Sequence, residues 1–218
     1  MASIYDCSTE AELLTGMRLA RTAIGRGDLV VMPTDTVYGL AADAFNAKAV
    51  SKLLAAKGRT RQAPPPVLIP GIPTLDALAE SVPSVVRTLV DAYWPGGLTI
   101  ILPARSSLTW DLGETRGTVA LRMPSNRIAL ELLSETGPLA VSSANLSGQP
   151  AAAAAAEAEA MLGESVSVYL DDGAGGTIAS TIVDATGLFA LEGKLRIVRE
   201  GSIPSSDIRE LVGADRCE

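Results

Sequence analysis

The sequence predicts a single α/β domain, residues 1–218, built on a twisted mixed β-sheet flanked by helices. Three observations carry this reading. The 218 residues suit one globular domain, and no polar linker or internal repeat divides them. Short apolar runs alternate with segments of helical periodicity over the first two thirds, and strand-type runs dominate the remainder. With 47% hydrophobic but only 4% aromatic residues, the core must be built from Ala, Val, Leu and Ile.

The elements follow in order. Thr9 with Glu12 three residues later reads as a capping box opening a helix through Leu13, Met17, Ala20 and Ile24, closed by Gly25 and Gly27. Leu29 to Met32 is a strand, and Pro33-Thr-Asp-Thr36 a turn. Asn46 caps a helix carrying Val50, Leu53 and Leu54, which runs into Lys57-Gly58-Arg59. The triplet Pro64 to Pro66 stiffens the chain before the apolar Val67-Leu68-Ile69. Helices are expected over 74–80 and 83–93, the second with Pro83 in its first turn. Leu98 to Leu102 and Thr118 to Arg122 are strands, followed by a helix through Ile128, Leu132 and Leu133. Leu139 to Ser142 is a strand, and the alanine run 151–156 continues as a helix to Leu162, with a small-residue packing face. Strands are expected over 166–170, 180–184 and 195–198, and a last short helix after Pro204.

Histidine is absent, which removes whole classes of chemistry. No Ser-His-Asp or Cys-His unit, no His-ligated metal and no imidazole proton shuttle can be assembled. Cys7 and Cys217 stand near opposite ends without a CxxC spacing, so they read as reduced thiols and not as a zinc site. Catalysis is left to positioning, positive charge and a hard, oxygen-bound cation. The 18 Lys and Arg against 25 Asp and Glu give a formal charge of −7, which disfavours broad nucleic-acid binding but allows a local basic pocket. No segment is apolar enough to span a membrane, and the first seven residues do not read as a signal peptide, so a cytoplasmic setting is expected.

Three polar loops follow apolar strands, where ligands bind in open α/β sheets. Pro33 to Leu40 offers hydroxyls and a carboxylate, though such a turn can also be simply capped. Lys57-Gly58-Arg59-Thr60-Arg61 concentrates three cations. It reads equally as phosphate capture or as a solvated run at a helix end, and the stiff Pro triplet beside it favours capture. Ser142-Ser-Ala-Asn-Leu-Ser-Gly148 is either an N-cap cluster or a phosphate contact. Walker and Rossmann loops are missing, and the glycine cluster Gly173 to Gly176 reads as a flexible loop.

Taken together and in order, the segments Pro33-Thr-Asp-Thr-Val-Tyr-Gly-Leu40, Lys57-Gly-Arg59, Trp94-Pro-Gly-Gly-Leu-Thr99, Arg122-Met-Pro124, Ser142-Ser-Ala-Asn145, Ser180-Thr-Ile-Val-Asp184 and Arg199-Glu-Gly201 resemble the YrdC-like family, over about residues 20 to 205. The resemblance implies the YrdC-like fold in its short single-domain form. It also implies synthesis of threonylcarbamoyl-AMP and pyrophosphate from L-threonine, bicarbonate and ATP, for threonylcarbamoyladenosine in tRNAs reading ANN codons. By that similarity Lys57 and Arg59 are catalytic, and Lys57, Arg59, Thr118, Ser143, Asn145 and Arg199 contact ATP. Thr36, Arg122, Val141 and Ser180 hold threonine. Mg²⁺ is expected to come with ATP, held mainly by it, with no direct protein ligand. The product is expected to pass to the tRNA threonylcarbamoyl-transfer complex, any tRNA contact by this chain being weak or indirect. The family pattern differs here at Ala63, Leu68 and Gly97.

Two other readings are weighed against this one. A non-catalytic RNA-binding or ribosome-associated module fits poorly with an acidic chain short of aromatics. A carbamoyl-transfer domain of the hydrogenase-maturation kind would come with Cys-rich modules that this sequence does not contain.

Overall fold

A computed structural model describes residues 3–218. The first two residues of the N-terminal stretch read above lie outside it. Ten strands form one mixed sheet: β1 (Ser3–Asp6), β2 (Val30–Met32), β3 (Gly39–Asp43), β4 (Val67–Leu68), β5 (Leu98–Pro103), β6 (Thr118–Arg122), β7 (Leu139–Ser143), β8 (Val168–Asp171), β9 (Thr181–Asp184) and β10 (Arg196–Arg199). Their order across the sheet is β1-β8-β2-β3-β7-β4-β6-β5-β9-β10. Seven helices complete the fold: α1 (Glu10–Gly25), α2 (Ala47–Ala56), α3 (Ile72–Leu78), α4 (Ser84–Tyr93), α5 (Arg127–Thr136), α6 (Ala155–Leu162) and α7 (Ser205–Val212). No helix among the described residues is long and apolar enough to cross a membrane.

The two faces of the sheet are covered unequally. On one face, Leu29, Val31, Leu40 and Ala42 pack against Ala49 and Leu53 of α2 and Ala155, Ala158 and Leu162 of α6. The same face continues through Val67, Leu98, Ile100, Val119, Leu121 and Val183, beneath Leu75 and Leu78 of α3, Val86, Leu89 and Val90 of α4, and Ile208 and Val212 of α7. Each such Leu or Val side chain contributes roughly 1.5–3 kcal/mol on burial. On the other face, α1 and α5 cover Val30, Met32, Ala41, Leu139, Val141, Val168 and Leu170 with Met17, Ala20, Ile24, Ile128, Leu132 and Leu133.

The cover of α1 and α5 reaches Leu68 of β4, and beyond β4 no residue of β6, β5, β9 or β10 joins that core among the described residues. The side chains there are set by strand alternation. In β5, Leu98, Ile100 and Leu102 enter the core, so Thr99 and Ile101 point the opposite way. Thr99 pairs with Ile182 of β9, Ile101 with Ala120 of β6, and Leu68 of β4 with Arg122 of β6. These residues line two adjoining cavities.

Several local expectations need correction. The capping box does not form: Thr9 makes no side-chain cap, and Glu12 accepts the Asp6 N–H at 2.8 Å, because β1 brings the chain back over the helix start. β1 and β3 were not foreseen. The run Gly39-Leu-Ala-Ala-Asp43, read partly as loop, is poor in strand-forming residues, and its conformation comes from pairing with β2 and β7 on either side. Helix α6 starts only at Ala155, although the alanine run begins at 151. Ala154 is extended and Glu157 accepts the Ala153 N–H at 2.8 Å, so a local contact to the preceding backbone accompanies the later start despite the helix propensity of alanine. Pro83 precedes α4 as its N-cap and is not a first-turn residue. The Asn46 cap forms as read, accepting from Lys48 and Ala49.

Candidate active site

The larger functional cavity, about 240 Å³, lies between the turn after β2, the end of β6, the strand–loop junction after β7 and the start of β9. Arg122 is its floor. Burial at 6% exposure lowers the guanidinium pKa, and Asp35 opposes that shift. Its Nη1 donates to Thr36 Oγ1 at 2.8 Å and its Nε to Gly96 O at 2.9 Å. Nη2 lies 2.8 Å from Asp35 Oδ1, close enough for an ion pair but outside hydrogen-bonding angles. It is the one buried side-chain polar atom without a hydrogen bond among the described residues. Ion-paired with Asp35, the guanidinium places positive charge at the base of the cleft, which favours an anionic ligand.

The turn that meets Arg122 is rigid. Thr34 Oγ1 donates to Val37 O at 2.6 Å and lies 3.1 Å from Thr36 Oγ1. Asp35 also accepts the Ser125 N–H at 2.9 Å. Behind the turn, the Tyr38 hydroxyl donates to Gly173 O at 2.6 Å and accepts from Asp172 N at 3.0 Å. The glycine cluster read as a flexible loop packs directly on this turn. A Cβ on Gly176 would stand 2.1 Å from Thr36 O, and one on Gly175 would stand 2.9 Å from the Tyr38 ring.

Of the three cations in the 57–61 run, one reaches the cleft. Arg59 lines it and donates to Ser142 Oγ at 3.1 Å. Lys57, expected beside the phosphates, is fully buried behind the cleft wall. Its Nζ donates to Ser143 O, to Asn145 O at 2.6 Å and to Asn145 Oδ1 at 3.0 Å, which uses all three ammonium hydrogens. Burial and the neighbouring Arg59 push its pKa down to about 8. Asn145, expected as an ATP contact, sits with it behind the wall and donates to Gln149 O at 2.6 Å. Arg61 turns outward to Asp111.

Arg199 comes from the edge strand β10, where the pairing register shifts between Ile197 and Arg199, a bulge at Val198. Such a bulge re-aims the next side chain. Arg199 enters the cleft and donates to Ser180 O through Nε at 3.1 Å and Nη2 at 2.7 Å. Burial lowers its pKa first, then the positive charges of Arg122 and Arg59. Three guanidinium groups therefore share one cleft, an arrangement that an anion relieves. Ser180 Oγ lies 2.8 Å from Thr99 Oγ1.

The second cavity, about 180 Å³, is walled by Pro64, Pro65, Pro66, Ile101, Leu112, Ala120 and Val198. It shares Pro64, Pro66 and Ile182 with the first. Thr118 belongs here, its hydroxyl donating to Thr115 O at 2.8 Å. The expected residues thus divide. Thr36, Arg59, Arg122, Val141, Ser143, Ser180 and Arg199 line one cleft, Thr118 the next, and Lys57 and Asn145 neither. Thr34, Tyr38, Leu68, Thr99 and Ser142 also line the first cleft. All five lie in segments that the sequence singles out, Thr34 and Tyr38 within the Pro33–Leu40 motif and Leu68 where the family pattern differs, yet the sequence marks them only as members of a segment.

Comparison with known proteins places the fold in a family. The family model Sua5/YciO/YrdC, described as telomere recombination, matches residues 22–201. The chain belongs to the Sua5/YciO/YrdC family. A Mycobacterium tuberculosis member provisionally named threonylcarbamoyl-AMP synthase is 46% identical over 99% of this chain and 97% of its own length. The threonylcarbamoyl-AMP synthase of Pyrococcus abyssi is 36% identical over 92% of this chain, which spans 58% of that protein. The solved structure of P. abyssi Sua5 complexed with L-threonine covers the whole chain at 31% identity and a TM-score of 0.88, and 62% of the P. abyssi chain is matched. The mixed, open sheet with flanking helices is thus the Sua5/YciO/YrdC fold, as the sequence predicts.

Proposed function

We propose that this chain is a threonylcarbamoyl-AMP synthase, condensing L-threonine, bicarbonate and ATP to threonylcarbamoyl-AMP with release of pyrophosphate and water. One observation carries the reading: Arg59, Arg122 and Arg199 converge on a single cleft, three positive charges with Asp35 alone set against them. The family relatives named for this activity support it.

In this reading the threonine carboxylate is drawn to the Arg122 guanidinium, whose charge Asp35 already shares. Thr36 and Ser180 hold the polar end, and Val141 with Leu68 accommodates the methyl group. The threonine amine adds to CO₂ from bicarbonate and forms a carbamate. A carbamate oxygen then attacks the α-phosphate, and pyrophosphate leaves with its bridging oxygen. Two anions must meet, and their repulsion is the barrier the site has to offset. Arg59, Arg199 and the Ser143 region lie toward the phosphates. The apolar second cavity, with Thr118 at its wall, takes the adenine. Lys57 and Asn145 act one layer back, holding the Ser142–Ser143 wall in place.

No cluster of three His, Cys, Asp or Glu side chains suited to a metal occurs among the described residues. The cleft's charged groups are arginines, and its one nearby carboxylate, Asp35, is paired with Arg122. These residues make no cage for a cation, so we assign Mg²⁺ to the triphosphate oxygens of ATP. Supply of the product to a tRNA threonylcarbamoyl-transfer complex for tRNAs reading ANN codons, in the cytoplasm, belongs to the same proposal. The RNA-binding alternative finds no support in the site, because its arginines are gathered inside a cleft.

The decisive experiment measures pyrophosphate release from ATP with each substrate omitted in turn. Release that requires both L-threonine and bicarbonate is expected. Release that persists without threonine, or none at all, overturns the proposal.

A further inference from the structure

Arg61 is a cation that the cleft does not use. It forms a two-pronged ion pair with Asp111, Nη1 to Oδ2 at 2.9 Å and Nη2 to Oδ1 at 2.7 Å. Asp111 is pre-set for this by accepting the Gly113 N–H at 3.1 Å. The backbones are joined too, since Glu114 N donates to Arg61 O at 2.7 Å. Gly113 has φ +103°, and a Cβ there would stand 2.6 Å from Arg61 O, so only glycine permits the approach. Next to Asp111, Trp110 packs on Phe45 with ring centroids 5.4 Å apart.

These contacts join the two segments that wall the apolar cavity. Residues 58–66 supply Pro64, Pro65 and Pro66 to one side, and residues 104–117 supply Leu112 and Thr115 to the other. Both members of the ion pair are about half exposed, at 54% and 43%, so the pair adds little to global stability. Its effect lies in tying the segment that carries Pro64–Pro66 to the segment that carries Leu112.

We propose that Arg61 and Asp111 are positioning residues that fix the spacing of the walls of the nucleobase cavity, and so set affinity for the base of ATP. This rests on the assignment of that cavity to adenine. Neither side chain lines the arginine cleft. Arg61 acts through Pro64–Pro66 and Asp111 through Leu112.

The test is calorimetric binding of two probes, ATP and inorganic tripolyphosphate, to wild type, R61A, D111A and the double variant, with thermal unfolding as the check on folding. Both single variants are expected to weaken ATP roughly two- to fivefold, the size of effect an exposed ion pair exerts. The double variant is expected to be no worse than either, and tripolyphosphate affinity should not change. Equal weakening of both probes in R61A would make Arg61 a phosphate ligand and overturn the proposal. So would unchanged ATP affinity in both single variants, or additive losses in the double. Binding is read without turnover, so failure of threonine-dependent pyrophosphate release in the wild type would be a separate result.

Discussion

Lys57 grips Asn145 by two oxygens at once, the backbone carbonyl at 2.6 Å and the side-chain Oδ1 at 3.0 Å. The pair links the end of α2 to the loop after β7, 88 residues away, and a third bond from Lys57 reaches the carbonyl of Ser143. A cation that looks in sequence like a phosphate ligand is in the fold a brace for the wall that Arg59 and Ser143 present.

Removing that brace should therefore damage folding as well as turnover. K57M leaves three buried carbonyl oxygens without their donor, and about 2–4 kcal/mol of stability should be lost. Urea unfolding measures this. R59A, whose side chain faces the cleft, should lose activity with stability nearly unchanged. If K57M unfolds at the wild-type midpoint, Lys57 is no brace.

The same lysine gives a pH dependence of defined sign. Its pKa is pushed down to about 8 in the folded protein against the ordinary 10.5. Between those values the unfolded chain binds the extra proton, so the Lys57 contribution to stability rises with pH across that window and is flat below it. Unfolding free energies of wild type minus K57M, at pH 7, 8.5 and 10, should increase in that order. Nucleotide affinity should fall over the same range, because a neutral amine has two hydrogens for three acceptors.

Arg122 carries the threonine half of the site. R122K keeps the charge but loses the fork that spans Thr36, Gly96 and Asp35. The KM for L-threonine should rise about tenfold or more, equivalent to roughly 1.4 kcal/mol, with the KM for ATP little changed. Initial-rate kinetics with each substrate varied separately will show the split.

Two glycines of one cluster should behave differently. At Gly176 an alanine Cβ would meet Thr36 O at 2.1 Å, so G176A must move the turn that orients Arg122. Threonine affinity and melting temperature should both fall. At Gly173, with φ +77° and open space around it, G173A meets only backbone strain, about 1 kcal/mol. Threonine affinity should survive there.

The legible parts of this protein were those with local causes. Asn46 capped its helix, the apolar periodicity located α4 and α5, and the runs at Leu98 and Thr118 became β5 and β6. The missing histidines narrow the chemistry from the sequence alone. What resisted reading was non-local. β3 is a strand because two neighbours flank it, and its Ala-rich sequence gives no sign of that. The separate fates of Lys57, Arg59 and Arg61 depend on partners 86, 83 and 50 residues away. Charge type and spacing carry no information about which way each side chain turns.

The half of the sheet beyond β4 has a consequence for how this protein can change. Along β5, β6 and β9, odd and even positions answer to different demands. Leu98, Ile100, Leu121 and Val183 hold the domain together, while Thr99, Ile101, Ala120 and Ile182 meet whatever occupies the cavities. Substitutions in the second set can alter ligand preference with little debt to folding, and substitutions in the first do the reverse. Neighbouring codons along these strands are thus free to drift under separate selection, and a library confined to every second position would explore new substrates on an unchanged scaffold.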